Sequence, residues 1–600
     1  MKALFALNPY IWKYKRYLLL GVVFVIAANL FSVYPAQVVR SAIDMVSDEI
    51  VIFELLDGFQ LAESLKEDLW KSLLLFGGLV IGMALLRGLF LFLTRQTLIV
   101  MSRLVEFDLR KDLYDHLQNL STSFYRRNRT GDLMARMSED VSRVRMYLGP
   151  GIMYTLNTIS LALVVIITML AVNPELTFYA LLPLPALSYL VYYVESIIQA
   201  KSDKIQKQLS VLTTFTQEVF SGIRVLKAYV KEKETENRFG EEAELYKEKS
   251  MSLARVDAAF MPAIIFLVGL STILTIWIGG ERVISGRFTI GNIAEFIIYI
   301  NLLTWPIIAI GWVTTLIQRA AASQVRLNEL LAERSEIKFT PRTTAGPKQA
   351  SLKFKGVSFT YQDTGIKAIK DLSFELKPGQ KLGILGATGS GKSTLCALIP
   401  RLFDIDEGQI LLDDMPLSSY SKAALRQAIG YAPQDVFLFS DTIRNNIAFG
   451  KPVVDFEAIQ AAATKAAVAT NIEGFPKSYD TLVGERGVTL SGGQKQRISL
   501  ARAWLKEPQL LILDDVLSAV DTNTEETILQ HLRTYRTQNP EVAVIMVAHR
   551  ISCIQDSDHI IVLENGKLIE EGTHESLVRQ QGYYQRIFEK QLSEEAEPSS

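Results

Sequence analysis

The run GATGSGKST, Gly386 to Thr394, is where chemistry is most legible in this chain. It follows the apolar stretch Lys381–Leu385 and precedes a helical run from Leu395. A glycine-rich loop in that strand–loop–helix setting is what phosphate binding requires. Gly386, Thr388, Gly389, Ser390, Gly391 and Thr394 would line a loop whose backbone N–H groups close on phosphate oxygens at a helix N-terminus. Lys392 is expected to reach the β- and γ-phosphates, and Ser393 to ligate Mg²⁺. The run LLILDD, Leu510 to Asp515, supplies a second half. Four apolar residues make a buried strand whose end presents carboxylates, and Asp514 would hold Mg²⁺ through its water shell. A chance glycine turn and a solvated acidic turn are the plainer readings of each motif alone; together the two motifs point to a nucleotide site.

Between them lies LSGGQ, Leu490 to Gln494, which resembles the signature motif of ATP-binding cassette proteins. A serine and two glycines at a helix start make a second anion site. The resemblance implies that Ser491, Gly492, Gly493 and Gln494 close over the γ-phosphate of ATP held by an opposite cassette. Other positions carry the same likeness. Tyr361 resembles the aromatic that stacks on adenine, although alone it would read as strand packing. Gln434 in YAPQD resembles the loop glutamine that senses Mg²⁺, Asp521 in SAVD the aspartate that reaches across the dimer, and His549 in VAHR the switch histidine at the γ-phosphate. TLVGERG, Thr481 to Gly487, is similar to a segment typical of exporters. In the first half, Phe124–Arg145 and Thr216–Tyr229 resemble the exporter transmembrane domain. The likeness covers nearly the whole chain and is nearest to bacterial multidrug or lipid half-exporters.

One position departs from the family. Most such cassettes carry glutamate directly after the Mg²⁺ aspartate, as the base that polarises the attacking water; here it is Asp515. Aspartate is one methylene shorter, which withdraws the carboxylate by about 1–1.5 Å, and catalysis is sensitive to shifts of that size. The following VLSAVD also differs from the commoner ATSALD. The combination resembles the subunit of heterodimeric exporters that carries the weaker ATP site. The catalytic set implied is Asp515, His549 and Gln434, with Ser393, Gln434 and Asp514 at the metal.

These residues need elements to position them. The chain has 600 residues, enough for two or three domains. Apolar residues make up 49% of it, and the long apolar runs fall in the first half. Six spans are expected, near 17–36, 71–93, 149–172, 176–198, 258–280 and 289–313, each close to the ~20 residues that cross a bilayer. Residues 1–16 read as an interfacial helix rather than a cleaved signal peptide. Lys and Arg number nine in 101–147 and eleven in 199–257, whereas 41–70 holds only Lys66 against eight acids. The positive-inside rule puts the N-terminus, both long loops and the second half in the cytosol. Both long loops read as membrane helices continuing into the cytosol, with apolar-aromatic turns around Phe124–Tyr125 and Val211–Phe215 that suit either docking or helix-turn packing. Arg87, Glu295, Asn29, Asn157 and Asn301 are intramembrane polar groups, with functional or structural roles open. Tyr154, Tyr299, Trp305 and Trp312 suit either a greasy cavity or packing.

The fold expected is an all-α transmembrane domain over 1–335, a linker over 336–350, an α/β phosphate-loop domain over 351–592 and a disordered tail over 593–600. Net charge of −1 gives no bias toward nucleic acid. Cys396 and Cys553 offer neither zinc spacing nor a disulfide framework. The function implied is ATP-driven export by alternating access from the bacterial inner membrane. The cargo is a hydrophobic or amphipathic small molecule or a lipid, the partner is a second half-exporter, either a different chain as the likeness at Asp515 implies or a second copy of this one, and membrane lipid surrounds both. An ATP-binding regulatory subunit and an ATP-gated channel on the same fold are the rivals; six spans exclude a soluble cassette ATPase acting on DNA or ribosomes.

Overall fold

The computed structural model describes residues 2–55, 60–451, 453–484, 487 and 490–596. It divides into two compact units, Met1–Leu117 with Gly131–Glu333, and Gln118–Thr130 with Arg334–Ser600.

In the first unit, six helices among the described residues are long and apolar enough to cross a membrane: Lys15–Ile50, Leu65–Gln118, Thr130–Val172, Pro174–Ser221, Glu232–Ile284 and Ile290–Ala332. They are the six expected spans, but longer. The second, at 54 residues, extends about 80 Å at 1.5 Å per residue. Polar turns do not end these helices, because charged residues remain good helix formers once the chain leaves the bilayer. Leu161, Val165, Met169, Leu187, Phe296 and Ile300 lie in their common core. Three π-turns, Arg95–Ile99, Arg136–Asp140 and Tyr147–Gly151, interrupt the second and third spans.

Charge ties the polar extensions together. Glu106 pairs with Arg103 at 3.0 Å, Arg110 at 2.8 Å and Arg145 at 3.5 Å, joining the second and third helices. Asp140 accepts from Arg326 Nε at 2.9 Å, joining the third and sixth. The N-terminal helix Asn8–Lys13 binds the second, through Lys13 to Asp108 and Tyr10 to Asp112, both at 2.6 Å.

Of the intramembrane polar groups, Glu295 is fully buried and ion-paired with Arg40 at 3.0 Å, while Tyr299 donates to it at 2.7 Å. Asp44, one turn along from Arg40, accepts from Gly291 N at 2.8 Å and Thr289 Oγ1 at 2.9 Å. The first helix thus holds the N-terminal end of the sixth. Asn29 donates to Ser160 at 2.5 Å and to the Asn157 carbonyl, and Asn301 to its own helix at Ile297. Tyr154 packs edge-on against Trp312, while Trp305 and Arg87 are exposed.

The second unit is an α/β domain. β1 (Leu352–Thr360), β2 (Lys367–Leu376), β4 (Glu407–Leu412) and β5 (Met415–Pro416) form an antiparallel sheet in the order β2-β1-β4-β5. A six-stranded sheet combines β3 (Lys381–Gly386), β6 (Ile429–Ala432), β7 (Leu510–Asp514), β8 (Ala543–Val547), β9 (His559–Glu564) and β10 (Lys567–Gly572), in the order β10-β9-β3-β8-β7-β6. Its five strands β9-β3-β8-β7-β6 run parallel, and β10 is an antiparallel edge. β3, β7 and β8 are buried throughout, as expected for near-continuous apolar strands covered on both faces. Cys396 and Cys553 are free and buried, and burial pushes both thiols up.

Three stretches differ from expectation. Residues 118–130 are flanked in sequence by membrane helices yet group with the α/β unit. The stretch read as a linker is bonded to that unit: Asp413 accepts from the backbone N–H groups of Lys348, Gln349 and Ser351. The last helix, Tyr583–Ala596, carries the chain past the expected start of the disordered tail, correcting that expectation for 593–596; residues 597–600 lie outside the described ones.

Candidate nucleotide site

Strand order explains why distant motifs meet. The neighbours β3, β8, β7 and β6 are parallel, so their carboxyl ends share one edge of the sheet, where open α/β sheets bind ligands. β3 delivers the phosphate loop, β8 delivers His549, β7 delivers Asp514 and Asp515, and β6 delivers Gln434.

The phosphate loop closes on helix Lys392–Leu398. Gly391 begins it at φ +103°, and an added Cβ there would lie 2.5 Å from the Ala368 carbonyl, so only glycine fits. Thr388 and Gly389 form the exposed tip. Ser390 Oγ is buried with no hydrogen-bond partner among the described residues. Such an orphan is costly unless a ligand satisfies it, and in this loop a phosphate oxygen is the fitting acceptor. Lys392 turns onto its own loop, donating to the carbonyls of Gly386 at 2.7 Å and Ala387 at 3.0 Å. Burial lowers its pKa, against the opposing pull of Asp515 and Asp514.

Ser393 Oγ donates to Asp514 at 3.0 Å and to Gln434 Oε1 at 3.4 Å. Hydroxyl, carboxylate and amide oxygen make an all-oxygen donor set of the kind Mg²⁺ takes. Burial pushes the Asp514 carboxyl up to about 6, with the Asp515 charge adding and Ser393 opposing. A cation there would restore the ionised form. Asp515 is likewise raised by burial and lowered by His549. Its Oδ2 accepts from Gln434 Nε2 at 3.3 Å and lies 3.9 Å from His549 Nε2. Its backbone is left-handed at φ +53°, which aspartate tolerates better than most residues.

Tyr361 Oη shares a hydrogen bond of 2.9 Å with Thr394 Oγ1, so the ring borders the phosphate loop. The signature is elsewhere. Ser491 and Gln494 form a capping box at the start of helix Gly492–Leu505, and Gly493 is tight against the Ala519 carbonyl, leaving no room for a Cβ. No hydrogen bond among the described residues runs from Ser491–Gln494 to the phosphate loop. Asp521 caps helix Thr522–Gln538 through Thr524 N at 3.0 Å, which lowers its pKa. The structure therefore brings together Tyr361, Gly386 to Thr394, Gln434, Asp514, Asp515 and His549, and leaves Ser491–Gln494 and Asp521 without a bond to them. Of Thr481–Gly487, residues 485 and 486 lie outside the described residues.

Two supporting residues escaped the sequence reading. Buried Gln496 donates to the Asp515 carbonyl at 3.5 Å and Ser518 Oγ at 3.2 Å and accepts from Ala519 N, fixing the loop after β7. Gln591, on the last helix, donates to the His549 carbonyl and accepts from Ile551 N, both at 2.8 Å. Its signal was absent because it sits beside the acidic tail, where composition alone suggests no partner.

Comparison with known proteins agrees with this geometry. Residues 18–307 match the ABC transporter transmembrane region and residues 369–518 the ABC transporter domain. The chain is 38% identical over 495 residues to the multidrug resistance-like ATP-binding protein MdlA of Escherichia coli (strain K12), covering 82% of each. It is 34% identical over 586 residues to the probable multidrug resistance ABC transporter ATP-binding/permease protein YheI of Bacillus subtilis (strain 168), covering 97% of this chain and 96% of that one. A solved bacterial Atm1-family ABC exporter with ATP bound superposes with a TM-score of 0.76 at 26% identity, over 98% of this chain and 99% of that. With six membrane helices, a phosphate loop and acids at the end of β7, and full-length likeness to such proteins, this chain belongs to the ABC transporter family, as an exporter half whose cassette binds and hydrolyses ATP to drive transport.

Proposed function

We propose that this chain pairs with a second, different half-exporter and contributes the slower of two ATP sites. The observation that carries the reading is Asp515: the surrounding set is complete, yet the carboxylate stops 3.9 Å from His549. The unit acts in the bacterial inner membrane on a hydrophobic or amphipathic small molecule or a lipid, in keeping with the multidrug names of the relatives.

In this reading Tyr361 stacks on adenine. Lys392 leaves the Gly386 and Ala387 carbonyls for the phosphates, and Ser390 Oγ gains the acceptor it lacks. Ser393, Asp514 and Gln434 hold Mg²⁺, which neutralises phosphate charge when bound. Asp515 orients the attacking water and draws on its proton, with Gln434 Nε2 bonded to that carboxylate and His549 3.9 Å from it, beyond hydrogen-bond reach. Ser491–Gln494, with Ser491 and Gly492 exposed, serve the partner's phosphates, and Asp521 reaches toward the same interface. Closure of two cassettes over ATP turns the transmembrane cavity outward, and hydrolysis removes the contacts that favoured closure.

The second reading, a regulatory subunit that binds ATP while its partner hydrolyses, draws on the same Asp515. The test is to purify the chain expressed alone and then with its partner. The proposal expects brisk turnover only in the mixed assembly. A stable homodimer with brisk transport-coupled ATPase that is lost on Asp515→Asn would overturn it.

A further inference from the structure

The α/β unit holds one contact that the nucleotide chemistry does not use. The guanidinium of Arg126 lies 4.0 Å from the centroid of the Tyr361 ring, within stacking range of its face. Arg126 also pairs with Asp363 at 3.2 Å and approaches the Phe403 ring at 5.9 Å. Its neighbour Arg127 is held by Glu336 at 2.9 Å. Both arginines end the short helix Thr122–Arg127, in the segment that groups with this unit.

The ring is fixed by its own protein neighbours. Its hydroxyl bonds Thr394 at 2.9 Å, and Phe359 and Phe403 pack against it nearly perpendicular, at 4.8 and 5.5 Å. The planar group parked on it is therefore the guanidinium. A delocalised, weakly hydrated cation is the side chain best suited to hold an aromatic face that a flat base would otherwise cover.

We propose that Arg126 competes with adenine for the ring of Tyr361, so that ATP must displace it. This rests on the adenine reading of Tyr361 given above. Displacement frees Arg126 from ring and carboxylate alike, and Arg126 belongs to the turn that is covalently continuous with the second and third membrane helices. Base occupancy is thereby reported to that turn directly, independent of the phosphates.

The test uses the assembled exporter in lipid nanodiscs. Binding of a ribose-labelled fluorescent ATP is competed by ATP or by inorganic tripolyphosphate, which has no base. Losing a competing stacked cation is worth about three- to tenfold in affinity. Arg126→Ala is expected to tighten ATP by that factor and to leave tripolyphosphate unchanged. Asp363→Asn, which loosens the same arginine without touching the turn, is expected to act in the same direction and serves if Arg126→Ala assembles poorly. Tyr361→Ala is expected to weaken ATP binding and to erase the effect of Arg126→Ala. Unchanged or weaker ATP binding in Arg126→Ala, or equal tightening of tripolyphosphate, overturns the proposal. Unchanged ATP binding in Tyr361→Ala would instead remove the adenine reading beneath it.

Discussion

Lengthening Asp515 by one methylene tests the proposed asymmetry quantitatively. In the present geometry Oδ2 is 3.9 Å from His549 Nε2 and 3.3 Å from Gln434 Nε2. A good hydrogen bond needs about 2.9 Å, so the shortfall to His549 is about 1 Å, which the extra ~1–1.5 Å of glutamate closes. A misplacement of about 1 Å can cost up to about 10²-fold in rate, or about 2.7 kcal/mol of barrier. Asp515→Glu is therefore expected to speed hydrolysis at this site by about 10- to 100-fold. The left-handed backbone at φ +53° suits glutamate less well, so a small loss of thermal stability accompanies the gain. The assay is single-turnover hydrolysis of labelled ATP in the mixed assembly, with the partner's catalytic base neutralised so that only this site reports. If Asp515→Glu is no faster than the parent, carboxylate reach is not what limits this site and the reasoning fails.

Other perturbations follow from the same geometry. Ser491→Arg should cut ATPase of the mixed assembly strongly, because it spoils the site completed by this signature, while Asp515→Asn should cut it only modestly; equal losses would argue against two unequal sites. Arg40→Ala strands the fully buried Glu295 and should destabilise the protein by about 3–5 kcal/mol, with Glu295→Gln in that background recovering much of the melting temperature. No recovery would show that the pair is not what holds the first and sixth helices. Burial raises the Asp514 carboxyl to about 6, so its charge opposes folding of the nucleotide-free cassette above that pH; Asp514→Asn should raise the Tm at pH 7, with a gain that shrinks as pH falls through about 6. A pH-independent gain would contradict the assigned cause.

Much of the fold and site could be read from residue order alone, for physical reasons. Apolar runs of bilayer length have one stable outcome in a membrane, so the six spans were visible. The phosphate loop and LLILDD are local motifs, and the parallel sheet joins them through strand order. What stayed hidden depends on packing between distant positions. The Arg40–Glu295 pair spans 255 residues, and a lone Glu in an apolar run carries no mark of its partner. Arg126 sits in a basic turn that reads as cytosolic charge, and nothing nearby points to Tyr361. Asp413 in a DD pair looks like any turn, yet it fastens the presumed linker. The continuation of helices into both long loops was legible from their apolar periodicity, while hydropathy alone marks the bilayer and not the helix ends.

The central claim, that the phosphate loop of this chain powers export, is tested most directly by ATP-dependent accumulation of a fluorescent hydrophobic drug in inside-out vesicles containing the assembled transporter. In the proposed reading the ammonium of Lys392 neutralises phosphate charge, and it is the only cationic side chain of the loop Gly386 to Thr394. Lys392→Ala, in vesicles with parental amounts of both halves, is expected to abolish or severely weaken uptake; undiminished uptake would contradict the account.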